Sequence, residues 1–276
     1  MKTILVPVEP NPAVYPLLDV ALILAETLGA YVEGRLSTFD MPAVVTEIAG
    51  TWPIPEEVLT TGQVEGARNL FTTYMSSRGL AEATDTSEGA GWRWGGDKPL
   101  RDGEVGALGR IFDAIVVGRP DPAGGYPRNL TFESALFESG RPLFVAPPIP
   151  PTTIGRTITI AWNGSTETAR AVAFAMPLLA KADRVMVLTV EGATVDGPSG
   201  RQLARMLRRN GIPAEPVSRE GTARSNGEII LDYAMSTNTD LLIKGAYTQS
   251  RLRQMIFGGA TRHILENARL VVFMAH

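Results

Sequence analysis

One unit is written twice along this chain, and that repetition constrains the fold more than any other feature. KTILVPVE (residues 2–9) returns in character as RTITIAWN (156–163), each an apolar, strand-like run ending on a polar residue, Glu9 or Asn163. FDAIVVG (112–118) returns as TDLLIKG (239–245). FESGR (137–141) returns as LENAR (265–269), both followed by a closing apolar run. Two copies of one supersecondary unit account for this pattern. They meet at PPIPP (147–151), where successive prolines stop helix and central strand alike and favour a stiff, extended linker. The expected boundaries are 1–147 for a first domain, 148–155 for the linker and 156–276 for a second domain.

Periodicity fills in each copy. In the first, Val14, Leu18, Ala21, Leu22, Ala25 and Leu28 mark a helix over 12–28 that Gly29 stops, and a strand follows over 31–36. Residues 38–62, broken by Pro42, Pro53 and Pro55, are expected to be irregular. A helix over 63–75, a strand at Trp92 and Trp94, a helix over 97–108 and a strand over 111–117 complete this copy. In the second, a strand over 158–162 runs into the turn Asn163-Gly164-Ser165. The helix after it is expected to kink or shorten at Pro177. Next come a strand over 185–190, a basic surface helix over 198–209, an edge strand over 214–218 and a helix over 226–235. Alternating strands and helices predict a parallel sheet covered on both faces. Such sheets open a ligand crevice at the carboxyl ends of their strands, where strand order reverses. Asn163 and Gly245 each stand at the end of a strand.

The last segment carries the motif with chemistry in it. Gly245 ends an apolar strand, a basic loop follows with Arg251 and Arg253, and Gly258-Gly259 opens a helix-compatible stretch. Free backbone N–H groups at glycine turns and the positive end of a helix dipole converge there, an arrangement that can cradle phosphate.

This segment resembles the universal stress proteins. Nucleotide-binding members of that family carry glycine, two residues, glycine, nine residues, glycine, then serine or threonine. The same spacing here holds Gly245, Thr248, Gly258 and Gly259, with Thr248 at the second glycine and Gly259 at the hydroxyl position. Thr261, two residues on, can supply a hydroxyl. The resemblance covers most of 156–276 and, more faintly, 1–147. It implies two tandem doubly wound α/β domains, each a five-stranded, mostly parallel sheet of the adenine nucleotide alpha hydrolase-like class, order 3-2-1-4-5. It also implies a site for ATP or another adenine nucleotide with Mg, comprising Asn163, Val190, Gly245, Thr248, Gly258, Gly259, Ala260 and Thr261. In the family an aspartate after the first strand holds the nucleoside and the end of the second strand lines the adenine. Those places fall on Asn163 and Val190. An asparagine cannot accept both ribose hydroxyls as a carboxylate does. In the first copy Glu9 keeps the carboxylate and Gly118 the first glycine, but Asp121 stands at the second and no glycine–hydroxyl pair follows, so that copy is expected not to bind nucleotide. The family's closing strands pair into dimers; here the runs at 143–146 and 270–274 can pair within one chain as a pseudo-dimer, with a homodimer as a further option.

Composition narrows the rest. A net charge of −3 offers no general attraction to nucleic acid or anionic membrane, and the basic helix has no interleaved aromatics, so neither partner is expected. With no cysteine, disulfides, thiol catalysis and cysteine metal sites are excluded, which fits the cytoplasm. Two histidines, His263 and His276, form no metal-ligand pair and no Ser-His-Asp order, so catalytic and metal residues are expected to be none. Three functions stay open: a stress-response sensor or signalling protein that binds adenine nucleotide with at most slow hydrolysis, an interaction protein with a degenerate site, and a nucleotide hydrolase or transferase.

Overall fold

The computed structural model describes residues 1–38, 56–84, 86–121, 123–222, 225–246 and 259–276. The first half runs β1 (Thr3–Val8), α1 (Val14–Leu28), β2 (Tyr31–Thr38), α2 (Glu56–Ser77), β3 (Gly91–Trp94), β4 (Leu100–Arg101), α3 (Asp102–Gly109), β5 (Ala114–Gly118), α4 (Asn129–Glu138) and β6 (Leu143–Ala146). The second runs β7 (Thr157–Ala161), α5 (Thr166–Leu179), β8 (Arg184–Val190), α6 (Gly200–Arg209), β9 (Ala214–Arg219), α7 (Asn226–Ser236), β10 (Leu241–Gly245), α8 (Gly259–Asn267) and β11 (Val271–Ala275).

One sheet passes through the molecule in the order β3-β2-β1-β5-β6-β11-β10-β7-β8-β9, with β4 added beside β2. Each half therefore has the order 3-2-1-4-5 that the resemblance implies, and all pairing within a half is parallel. The two closing strands meet antiparallel, Val272 opposite Val145, Phe273 opposite Phe144 and Met274 opposite Leu143. The pairing expected within one chain is formed. Central strands such as β1, β5 and β6 are buried on both faces, which is why they read as unbroken apolar runs. α1, α2, α5 and α6 pack their apolar residues on one face of the sheet; α3, α4, α7 and α8 cover the other.

The repeated aspartate has a structural role. Asp240 accepts from the backbone N–H groups of Gly155, Arg156 and Thr157 at 3.0–3.2 Å and from the Thr153 hydroxyl at 2.8 Å, tying the connection between the halves to the foot of β10. In the first half Asp113 accepts from the backbone N–H of Thr3 at 3.1 Å in the same way.

Three local expectations are corrected. The helix expected over 97–108 begins only at Asp102, because Leu100 buries its side chain while pairing beside Ser37 of β2, and Glu104 reaches back to take the Arg101 N–H at 3.0 Å. The stretch 38–62 is not irregular to its end, since α2 starts at Glu56. α5 is not cut short at Pro177 but runs through it to Leu179. Among the described residues no helix is long and apolar enough to cross a membrane.

Candidate functional site

At the end of β7 the chain turns through Gly164 into Ser165, whose hydroxyl accepts from the Thr168 N–H at 3.2 Å and caps α5. Asn163 braces this turn. Its Oδ1 accepts from the Ser165 N–H at 3.2 Å and from the Thr168 hydroxyl at 2.6 Å. The connection from β8 to α6 lies directly on the turn: the Val195 N–H donates to the Asn163 carbonyl at 2.9 Å, and Trp162 Nε1 donates to the Pro198 carbonyl at 2.7 Å. A Cβ at Gly164 would lie 3.0 Å from the Val195 carbonyl oxygen, and φ there is +83°, so contact and backbone both require glycine.

These contacts shape a cleft of about 350 Å³ over the carboxyl ends of β7, β8 and β9, lined by Asn163, Thr189, Ser199, Arg201, Pro216 and Ser218 among others. That volume lies in the range of small-molecule pockets. Val190 does not present its side chain there. It is 4 % exposed and belongs to the core, while Thr189 beside it faces the cleft.

Gly245, the first glycine of the motif, ends β10 against the first turn of α5. A Cβ on it would lie 2.5 Å from the Thr168 nitrogen, so only glycine lets the strand end so close to the helix. Gly259 and Ala260 open α8, and Thr261 is buried in its first turn. Thr248, Gly258, Arg251 and Arg253 lie outside the described residues.

Sequence reasoning passed over Lys244. Its side chain is 6 % exposed, and Nζ donates to the Thr261 hydroxyl at 2.9 Å and to the Gly245 carbonyl at 2.6 Å. Burial pushes its pKa down from 10.5 to about 7. The signal was present in the repeat, where TDLLIKG places a lysine at the position that FDAIVVG fills with Val117.

In the first half the crevice between the carboxyl ends of β1 and β5 is closed by its own side chains. Arg128 enters it and donates through Nε to Glu9 Oε1 at 3.0 Å, through its backbone N–H to Glu9 Oε2 at 3.2 Å, and through Nη2 to Ser37 at 2.9 Å. Thr131 donates to Glu9 Oε1 at 2.6 Å. Pro127 packs on Gly118. What remains is about 10 Å³, room for about one water. Among the described residues no group of three or more histidines, aspartates or glutamates is placed to hold a metal ion.

Comparison with known proteins gives no family model and no curated protein that matches this sequence. Solved structures do match. A universal stress protein from Archaeoglobus fulgidus DSM 4304 superposes with a TM-score of 0.73 at 13% identity, over 99% of this chain and 95% of that one. A protein classed as a universal stress protein from Pseudomonas aeruginosa UCBPP-PA14 gives 0.56 at 14% identity, over 100% and 93%. A functionally unknown protein from Pseudomonas aeruginosa PAO1 gives 0.55 at 15% identity, over 100% and 92%. The strand order, the paired closing strands and these superpositions over nearly whole chains agree: the chain has the fold of the universal stress proteins.

Proposed function

We propose that the second half of the chain binds ATP or a related adenine nucleotide and that the protein works in the cytoplasm as a stress-response sensor or signalling protein. The observation that carries this reading is the contrast between the halves. In the first half the crevice over β1 and β5 is sealed by the Glu9–Arg128 ion pair, with about 10 Å³ left, while the second half keeps a cleft of about 350 Å³ over β7, β8 and β9. The nucleoside would occupy that cleft. Its phosphates would extend toward Gly245 and the first turn of α8, where Gly259, Ala260 and Thr261 stand; Thr248 and Gly258 belong to the same sequence motif. Magnesium would arrive with the phosphates. The first half then serves as a scaffold, and any homodimer would form outside the seam that the closing strands already occupy.

One observation favours a second reading, a binding protein for a different ligand or a protein partner. Asn163 spends its carbonyl oxygen on the α5 turn, so a ribose meets no carboxylate there. Calorimetric titration of nucleotide-stripped protein with ATP and magnesium separates the two. Binding in the parent and its loss in a folded Gly258→Asp variant, whose carboxylate repels phosphate, are expected. No binding in the parent would refute the nucleotide reading and turn attention to protein partners.

A further inference from the structure

Lys244 is placed where electrostatics alone would not put it. An ammonium group carries a full positive charge, and the first turn of a helix carries the positive end of the helix dipole, so a cation there is at the unfavourable end. Lys244 Nζ touches that turn, donating to Thr261 of α8 at 2.9 Å. Its second hydrogen bond goes to the Gly245 carbonyl, which leaves one of its three N–H donors without an acceptor among the described residues. No carboxylate pairs with it among the described residues either. A buried charge at 6 % exposure without a counter-charge among the described residues is costly, and the repeated unit does not require it, since the first half packs Val117 at the equivalent place.

A dianionic phosphate group removes both conflicts at once. It accepts the remaining Lys244 hydrogen, neutralises the ammonium and complements the N–H groups at the start of α8. We propose that Lys244, with Thr261 and the first turn of α8, is the charge-bearing part of an anion subsite that takes a phosphoryl group. If the nucleotide reading holds, which this inference deepens, Lys244 makes the site select phosphorylated over unphosphorylated ligands. Thr261 then serves as a positioning residue that holds the ammonium toward the anion.

The test is calorimetry on the full chain and on Lys244→Met with three probes: ATP with magnesium, sodium pyrophosphate and adenosine. Met matches the lysine stem in length and removes the charge; Lys244→Gln serves as the second variant, and a thermal melt verifies that each is folded. The expected result is a loss of about tenfold or more in affinity for ATP and for pyrophosphate, the scale of a charge-assisted hydrogen bond, with adenosine unaffected. A merely structural lysine would weaken all three ligands alike. Pyrophosphate binding that depends on Lys244 without any adenosine or ATP binding would keep the anion subsite and refute the adenine reading. ATP binding that is the same in parent and variants, or a parent that binds neither phosphorylated probe, would overturn the assignment of Lys244.

Discussion

Lys244 and Arg128 are two buried cations that solve opposite problems. Arg128 is matched by the Glu9 carboxylate at 3.0 Å with both groups inside the molecule, so removing one partner strands the other. Arg128→Ala is expected to cost about 3–5 kcal/mol in a urea unfolding curve, and Glu9→Gln with Arg128→Met together much less, because the pair as a whole is replaceable while half of it is not. Among the described residues Lys244 has no such match, and its pKa of about 7 makes stability depend on pH. Below pH 7 the amine is charged in the folded and unfolded chain alike, and the full cost of burying the charge is present. Between pH 7 and 10.5 the folded chain has released a proton that the unfolded chain keeps, so the cost shrinks as pH rises and vanishes above 10.5. Lys244→Met is therefore expected to raise the melting temperature most at pH 6 and progressively less toward pH 10. A gain that does not vary with pH would contradict a depressed amine.

At the scale of elements, the site depends on how closely strand ends approach helix starts. β10 stops against α5 only because Gly245 has no Cβ, and a methyl group there would lie 2.5 Å from the Thr168 nitrogen and 2.7 Å from its hydroxyl. Gly245→Ala is expected to cost about 1–3 kcal/mol by overpacking, and to disturb the Ser165–Thr168 cap that Asn163 braces. Thermal unfolding together with ATP titration would check it; unchanged stability would mean that β10 and α5 are less tightly joined than their geometry indicates. The glycine was legible in the sequence as a strand stop, but its reason was not. A turn glycine and a close-approach glycine look identical until the helix that crosses it is placed. The same limit explains β4, where Leu100 buries itself beside β2 in a stretch whose local spacing reads as helix.

Across the whole molecule, the antiparallel seam of β6 and β11 joins two parallel half-sheets into one, and Phe144 meets Phe273 edge to face with ring centroids 4.8 Å apart. Both aromatic side chains are fully buried in the core that spans both halves. Phe144→Ala is expected to cost about 3–5 kcal/mol and to lower the melting of both halves together, read by far-UV circular dichroism and by the fluorescence of Trp92, Trp94 and Trp162. Separate transitions in the parent chain would show that the seam does not couple the halves.

Legible in the sequence alone is the class of fold: the doubled unit, its strand and helix alternation, and the strands able to close on each other. These are legible because buried parallel strands must be apolar on both faces and turns must carry glycine, so local composition reports them directly. Which crevice is open was decided only by the tertiary structure. Arg128 closes the first by reaching Glu9, a residue distant in the chain, and Lys244 meets Thr261 only after α8 folds back over β10. Neither contact has a local signature, because charge pairing and burial depend on which groups the fold brings within a few ångströms and not on their order along the chain.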